Sequence, residues 1–450
     1  MAGRIRDRAL ALLSSAAVIV LLVAFASQPA VAQSYRITQL TPLGGSTPFV
    51  SYFEPAAIND FGQVLFAPDL YTGGEGVFLW QRGQLTAIAK GGQTMPDGGT
   101  MGYTLGPLGM NEWGEVAFTM TRNEFVEPPP AGLNAGVYRY NPRTGVVPVM
   151  VPGLKGHGDN MFLGSTFIPA INNWGEIVFP AMVCSTANNS VPSEPCPNGG
   201  AGVLALGVYK ADEFGRILPV VKPGDPVPGG PGHTFDLAHG VGLNDRGDVG
   251  FAAHVYGEEC GAAGTLFCAD SLYVKRAATG KIESIAHHGS PSPVSGKNYF
   301  SAYGPVVNNA GDIAYLGDLS TLGDGSDVAV FLYTHGKSIV IAKSGDAMPG
   351  GGVLKTGGFY PHTAFLNDAG DIAFDGTLAN GDNALYVWHR ATLKLVAKTG
   401  MNIGVGTIAT LDDSFGGVAN TQIAMNNWGQ VLFMARFQEG GAALLLATPK

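Results

Sequence analysis

Seven copies of one short phrase punctuate this chain: Asn, two variable residues, Gly, an acid or amide, Val or Ile, any residue, then Phe or Tyr. The copies begin at Asn59, Asn111, Asn172, Asn244, Asn308, Asn367 and Asn426, and close on Phe66, Phe118, Phe179, Phe251, Tyr315, Phe374 and Phe433. Recurrence at intervals of 52 to 72 residues means that one supersecondary unit has been copied seven times, and this limits the architecture to a solenoid or a ring.

Within a unit the pattern is that of short strands. Ala56 to Ile58 is apolar, Asn59-Asp60-Phe61-Gly62 has turn chemistry, and Gln63 to Phe66 reads as a second strand. Gly76 to Trp80 and Gln84 to Ala89 follow as a hairpin around Gln81-Arg82-Gly83. The same pair recurs at Gly136–Tyr140 with Val146–Met150, Gly207–Lys210 with Ile217–Val221, and Val330–Tyr333 with Ser338–Ala342. Outside the N-terminal leader nothing has helical periodicity. Charged residues make up 14% of the chain, against about 25% in ordinary globular proteins, while Gly (66) and Pro (29) are abundant. That balance suits many strands joined by tight turns.

Four antiparallel strands in each of seven units predict an all-β, seven-bladed β-propeller. The ends supply a check. The last unit reaches only its third strand, Ala443 to Ala447, whereas Tyr35 to Leu40 reads as a fourth strand with no unit of its own. The N-terminal strand is therefore expected to complete the last blade and leave no open sheet edge. In this reading the repeated Asn serves the turn and the aromatic packs between blades. Trp113, Trp174 and Trp428 vary within the turn and are read as shielding it.

Residues 1–32 read as an export signal: Arg4, Arg6 and Arg8, an apolar run from Ala9, and Ala30-Val31-Ala32 as the cleavage site, so that the mature chain starts at Gln33. The rival reading is an uncleaved anchor. No second membrane-spanning stretch follows. A single domain over 33–450, secreted or periplasmic and monomeric, is the expectation. The net charge of −9, with no basic run, argues against nucleic acid as a partner. Cys184 with Cys196, and Cys260 with Cys268, are expected to form local disulfides, and neither pair has zinc or redox spacing.

The units resemble the tandem N-x-x-G-x-x-x-F repeats of secreted bacterial proteins of the choice-of-anchor type, and more weakly the HAF-type extracellular repeats. The likeness covers essentially residues 34–450. It implies a bacterial, exported, propeller-like protein and carries no activity with it. The chain departs from many such relatives in having no C-terminal anchor, which implies release or periplasmic residence.

Metalloprotease, nucleophile-turn and EF-hand signatures are absent. One comparison singles out candidate site residues. The position five residues before each Asn should lie near the channel mouth, and it holds Glu54, Gly106, Phe167, His239, Tyr303, His362 and Thr421. His239, Tyr303 and His362 are candidate catalytic groups, able to supply base and acid for polysaccharide β-elimination or hydrolysis. Glu54, Asp236, Tyr299 and Tyr360 are candidate substrate contacts, and His233 lies close by. Lys297 and Lys355 are the nearest cations for a substrate carboxylate. The plainer reading is a wet polar channel that binds a glycan or protein through the loop-rich face, and an envelope scaffold is the third. No cofactor is firmly implied; the two His with Glu54 or Asp236 could hold a divalent metal such as calcium.

Overall fold

The structure, a computed structural model, describes residues 34–40, 49–70, 75–104, 108–122, 135–153, 162–165, 168–185, 203–230, 232–256, 269–355, 364–411 and 423–450. The chain divides into two units, Met1–Ala32 and Gln33–Lys450, and every described residue belongs to the second. The export signal expected over 1–32 lies outside the described residues. No helix among them is long and apolar enough to cross a membrane.

Seven antiparallel sheets follow one another along the chain, one for each copy of the phrase. In the fourth blade the strands are Phe235–Leu243, Val249–Val255, Ser271–Lys275 and Ile282–Ala286, paired in that order from the axis outwards. In blades two, three and seven the inner strand comes in two segments. The protein is a seven-bladed β-propeller. Its second strands read almost wholly apolar, as in Val249–Val255, because both of their faces pack against neighbouring blades. Outermost strands such as Gln84–Lys90 are largely exposed and carry the polar residues.

The core consists of seven apolar clusters, each shared by two adjacent blades. Blades three and four, for example, share Val208, Val221, Phe235, Phe251 and Tyr273, and blades seven and one share Ile58, Phe66, Leu432 and Leu444. The last of these interfaces makes the array a closed ring. The repeat-closing aromatic sits opposite a third-strand aromatic in six blades, as in Phe251↔Tyr273 and Tyr315↔Phe331. Their ring centroids lie 5.1 to 6.3 Å apart, a separation at which such pairs add about 0.5–1.5 kcal/mol beyond burial.

Closure by the N-terminal strand occurs as expected. Tyr35–Gln39 pairs antiparallel with Ala442–Pro449, in the register Tyr35↔Pro449 to Gln39↔Leu445. Ile37 and Tyr35 both join the cluster between blades six and seven.

The Asn turn does more than the sequence suggests. Each Asn Oδ1 accepts the backbone N–H four residues on, as Asn244 does from Asp248 at 2.9 Å, which is the expected local role. The Gly at the fourth position has φ between +70 and +87°, a region a side chain would disfavour. Each Asn Nδ2, however, donates to the backbone carbonyl of the matching Asn one blade on, over 2.9 to 3.3 Å, and the series closes on itself. A second ring runs beside the first. The residue after each Asn (Asp60, Glu112, Asn173, Asp245, Asn309, Asp368 or Asn427) donates its backbone N–H to the side chain of its counterpart at 2.7 to 2.8 Å.

Candidate functional site

The two faces of the ring carry different chemistry. On one lie the Asn turns and the outer hairpins. On the other lie the Gly/Pro connections and the long excursions after Phe118, Phe179 and Phe251, whose central parts (123–134, 186–202 and 257–268) fall outside the described residues.

On the turn face, the third position of the phrase is aromatic in four consecutive blades: Trp428, Phe61, Trp113 and Trp174 in blades seven, one, two and three. All four are exposed, from 61% for Phe61 to 69% for Trp428. The indole Nε1–H groups do not point to solvent. Trp113 donates to the carbonyl of Asn173, Trp174 to that of Asp245 and Trp428 to that of Asp60, over 2.7 to 3.2 Å. Each indole is thus pinned across the next blade's turn while much of its surface stays in water. The remaining three positions, Arg246, Ala310 and Ala369, leave the arc open on one side.

Inside this arc opens a central cavity of about 440 Å³. Its wall is apolar (Val241, Val306, Leu366 and Met425 among others), and its turn-face end is ringed by Glu112, Asn173, Asp245, Asn309, Asp368 and Asn427. Burial raises the Glu112 pKa, opposed by the hydrogen bond from the Asp60 backbone, with the charges of Asp60, Asp245 and Asp368 adding to the rise. Such a ring disfavours anions.

On the loop face, blade four gathers three polar side chains. The register Ala253↔Ser271 sets Asp270 opposite His254, and His239 lies on the inner strand on the other side of Val249–Val255, paired with Ala252. His239 Nε2 lies 2.9 Å and His254 Nε2 3.1 Å from the same oxygen, Asp270 Oδ1, with the imidazoles edge to face at 5.9 Å. A bulge at Gly240, φ +55°, re-aims the strand just after His239. Asp270 is fixed from behind: its N–H donates to Ser301 Oγ at 2.9 Å, and its carbonyl accepts the Ala302 N–H at 2.8 Å, both from blade five. Burial would lower the His239 pKa, but the Asp270 charge and hydrogen bond outweigh it and leave it raised. Burial likewise opposes Asp270 ionisation, and the His239 charge with both imidazole hydrogen bonds overcomes it, holding the carboxyl well below its usual range.

The residues singled out from sequence do not all meet. Tyr303 lines the central cavity and packs against the cluster of blades five and six, whereas His239 does not line that cavity and instead joins His254 and Asp270. His362 and Tyr360 lie outside the described residues, as do Gly106, Phe167 and Thr421, and so does the side chain of Glu54. Tyr299, expected at the ligand, is a core residue instead. It is 4% exposed, and its hydroxyl shares a 2.7 Å hydrogen bond with that of Tyr315, which in turn bonds Ser338. Asp236 is fully buried. Lys297 is engaged with Asp327 at 3.0 Å. Cys184 is disulfide-bonded; Cys196, Cys260 and Cys268 lie outside the described residues.

His254, Asp270 and the acid-or-amide ring were missed in the sequence. The last had a signal: the position after Asn is an acid or amide in all seven copies, although it was treated as free. Asp270 had little, because the matching position three residues before the third-strand aromatic holds unlike residues in other blades, such as Ala135, Val328 and Asn383.

Among solved structures, similarity is to fold only. The Pyrococcus horikoshii acylaminoacyl peptidase matches with a TM-score of 0.51 at 10% identity, over 88% of this chain and 52% of that one. A Mycobacterium tuberculosis puromycin-hydrolysing peptidase matches with a TM-score of 0.47 at 11% identity, over 90% and 53%. The chain thus spans about half the length of these peptidases. An Aleuria aurantia lectin matches with a TM-score of 0.37 at 12% identity, over 80% and 99%. No functionally curated protein matches the sequence. Residues 24–446 match a family of unknown function, DUF7453, and the chain belongs to that family.

Proposed function

We propose that this protein is an exported, monomeric propeller, secreted or periplasmic, that binds a neutral polysaccharide across its turn face. One observation carries the reading: four exposed aromatic side chains stand on four consecutive blades, three of them with the indole N–H fixed to the neighbouring turn. Single exposed apolar residues need no explanation, but a contiguous, rigid arc of them does. An indole with its polar edge already engaged offers a flat apolar face at little entropic cost, which suits the apolar face of a sugar ring. The neighbouring carboxylates and amides supply hydrogen-bond acceptors and donors for hydroxyls, and their charge disfavours uronate polymers. This reading departs from the sequence-based expectation of binding through the loop-rich face, because the arc of exposed aromatic side chains stands on the opposite side.

Affinity electrophoresis in gels containing a neutral β-glucan or xylan, with polygalacturonate as the acidic comparison, tests this. Retardation is expected with the neutral polymers. Trp113→Ala with Trp174→Ala should weaken it by about tenfold or more, since a contact aromatic is worth over about 1 kcal/mol. Unchanged retardation in a double variant of unchanged circular dichroism would show that the indoles are only clasps between turns.

A second reading, a polysaccharide lyase or hydrolase, is favoured by the ion-paired His239 on the loop face. Release of reducing ends from the same polymers, lost in His239→Ala, would support it over simple binding.

A further inference from the structure

From the convergence of three side chains in blade four we infer that His239, His254 and Asp270 form a binding site for a divalent transition metal, with Zn²⁺ as the best-matched ion. It lies on the face opposite the tryptophan arc and does not depend on glycan binding there.

The geometry is that of a ligand set already drawn together. Both imidazoles direct Nε2, and not Nδ1, at one carboxylate oxygen, at 2.9 and 3.1 Å, and the three ligand atoms all lie within 4.8 Å of one another. In a tetrahedral site with metal–ligand bonds of about 2.0–2.1 Å, neighbouring ligand atoms stand roughly 3.3 Å apart. Insertion of an ion therefore asks each imidazole nitrogen to part from the carboxylate oxygen by only a few tenths of an ångström, with the two Nε2 atoms starting within 4.8 Å of each other. The ion would replace the protons that now lie between the imidazoles and the carboxylate.

The framework holds these groups in place. Two ligands come from adjacent strands of one sheet, and the third is clamped by backbone hydrogen bonds to Ser301 and Ala302 of the next blade. The side chains are 20%, 12% and 14% exposed for His239, His254 and Asp270, so the site can be reached from solvent. Two imidazoles and one carboxylate suit zinc, copper, nickel or iron. Calcium, which takes six to eight oxygen ligands, is a poor match. This differs from the sequence-based expectation, which joined the two His of the repeated slot to Glu54 or Asp236. The partner of His239 is His254, on the second strand of the same blade. Nδ1 of His254 is buried with no hydrogen-bond partner among the described residues. Lacking the acceptor that commonly backs a metal-bound imidazole, the site should bind less tightly than a fully supported one.

Metal-stripped full-length protein, titrated with Zn²⁺ by calorimetry and with Co²⁺ by visible absorption, provides the test. One Zn²⁺ per chain is expected, and Co²⁺ should give the intense visible bands of a low-coordinate N,O site. His254→Ala and His239→Ala should each weaken Zn²⁺ uptake by about 100-fold or more, and Asp270→Asn should shift the Co²⁺ bands. His389→Ala, which alters a histidine paired with Asp371 elsewhere, should change neither. Equal Zn²⁺ uptake by wild type and the His239→Ala/His254→Ala double variant would overturn the proposal. Should a variant fail to fold, the wild type still decides: no Co²⁺ bands and no saturable Zn²⁺ heat would mean that the trio is only a hydrogen-bonded brace.

Discussion

The side-chain amide of Asn426 donates to the backbone carbonyl of Asn59 at 3.2 Å, joining positions 367 residues apart. The same interface repeats what the other six do locally, with Asn427 N–H donating to Asp60 Oδ1 at 2.8 Å. The turn face is therefore held by two endless hydrogen-bonded rings, and neither has a first or last member.

Replacing Asn426 with Asp should break one link while keeping its shape. The buried carbonyl of Asn59 would keep the Gly62 N–H at 3.0 Å but lose its second donor and face an acceptor instead, at a cost of about 2 kcal/mol or more. Urea unfolding measures this directly. A loss under about 0.5 kcal/mol would mean that the amide ring contributes little to stability.

Phe251→Ala should cost about 3–5 kcal/mol. Its ring is fully buried and stacks on Tyr273 at 5.7 Å, against Phe235 of the same interface. Phe251→Leu should cost much less by the same unfolding measurement, because most of the volume remains filled.

A chain beginning after Leu40 should lose the strand Tyr35–Gln39 and uncover the edge of Ala442–Pro449. Lower thermal stability and concentration-dependent association are expected, since an unpaired apolar edge recruits other chains. Light scattering across a dilution series checks this; a monodisperse, equally stable product would contradict it.

Alkaline pH should loosen the same closure. The Tyr35 phenol is buried, and burial with the Asp371 carboxylate pushes its pKa up to about 12. In the unfolded chain it ionises near pH 10. Below pH 10 both states hold the proton and stability is unaffected. Between pH 10 and 12 only the fold holds it, so stability falls by about 1.4 kcal/mol per pH unit. Tyr35→Phe should remove that share of the slope in denaturant unfolding across this range, while Tyr209, Tyr315 and Tyr386, also raised by burial, retain theirs.

The ring was legible in the sequence because every copy of the phrase contributes the same turn, and Tyr35–Leu40 had the right length and alternation to complete the seventh blade. Register followed from apolar patterning that only one pairing can bury. The site was far less legible. His239 stood in a repeated slot and could be flagged, but its partners came from positions outside the phrase that hold unlike residues in other blades, as Thr121 and Asp318 do at the place of His254. Whether a slot residue turns to the channel or to its own sheet depends on what the neighbouring strand offers. His239 meets Asp270, whereas Tyr303, one blade on, meets an apolar cluster. Trp113, Trp174 and Trp428 were seen but read as cover; their exposure follows from bonding the next turn by the ring's edge.

The pairing of residues 35–39 with 445–449 also sets an order of events in biogenesis. A chain threaded out from its N-terminus presents an adhesive strand for as long as its counterpart is still being made. Six wedges can assemble in sequence behind it, but the torus cannot shut until residues 445–449 emerge. Until then residues 35–39 remain an unpaired strand, the kind of edge that recruits other chains.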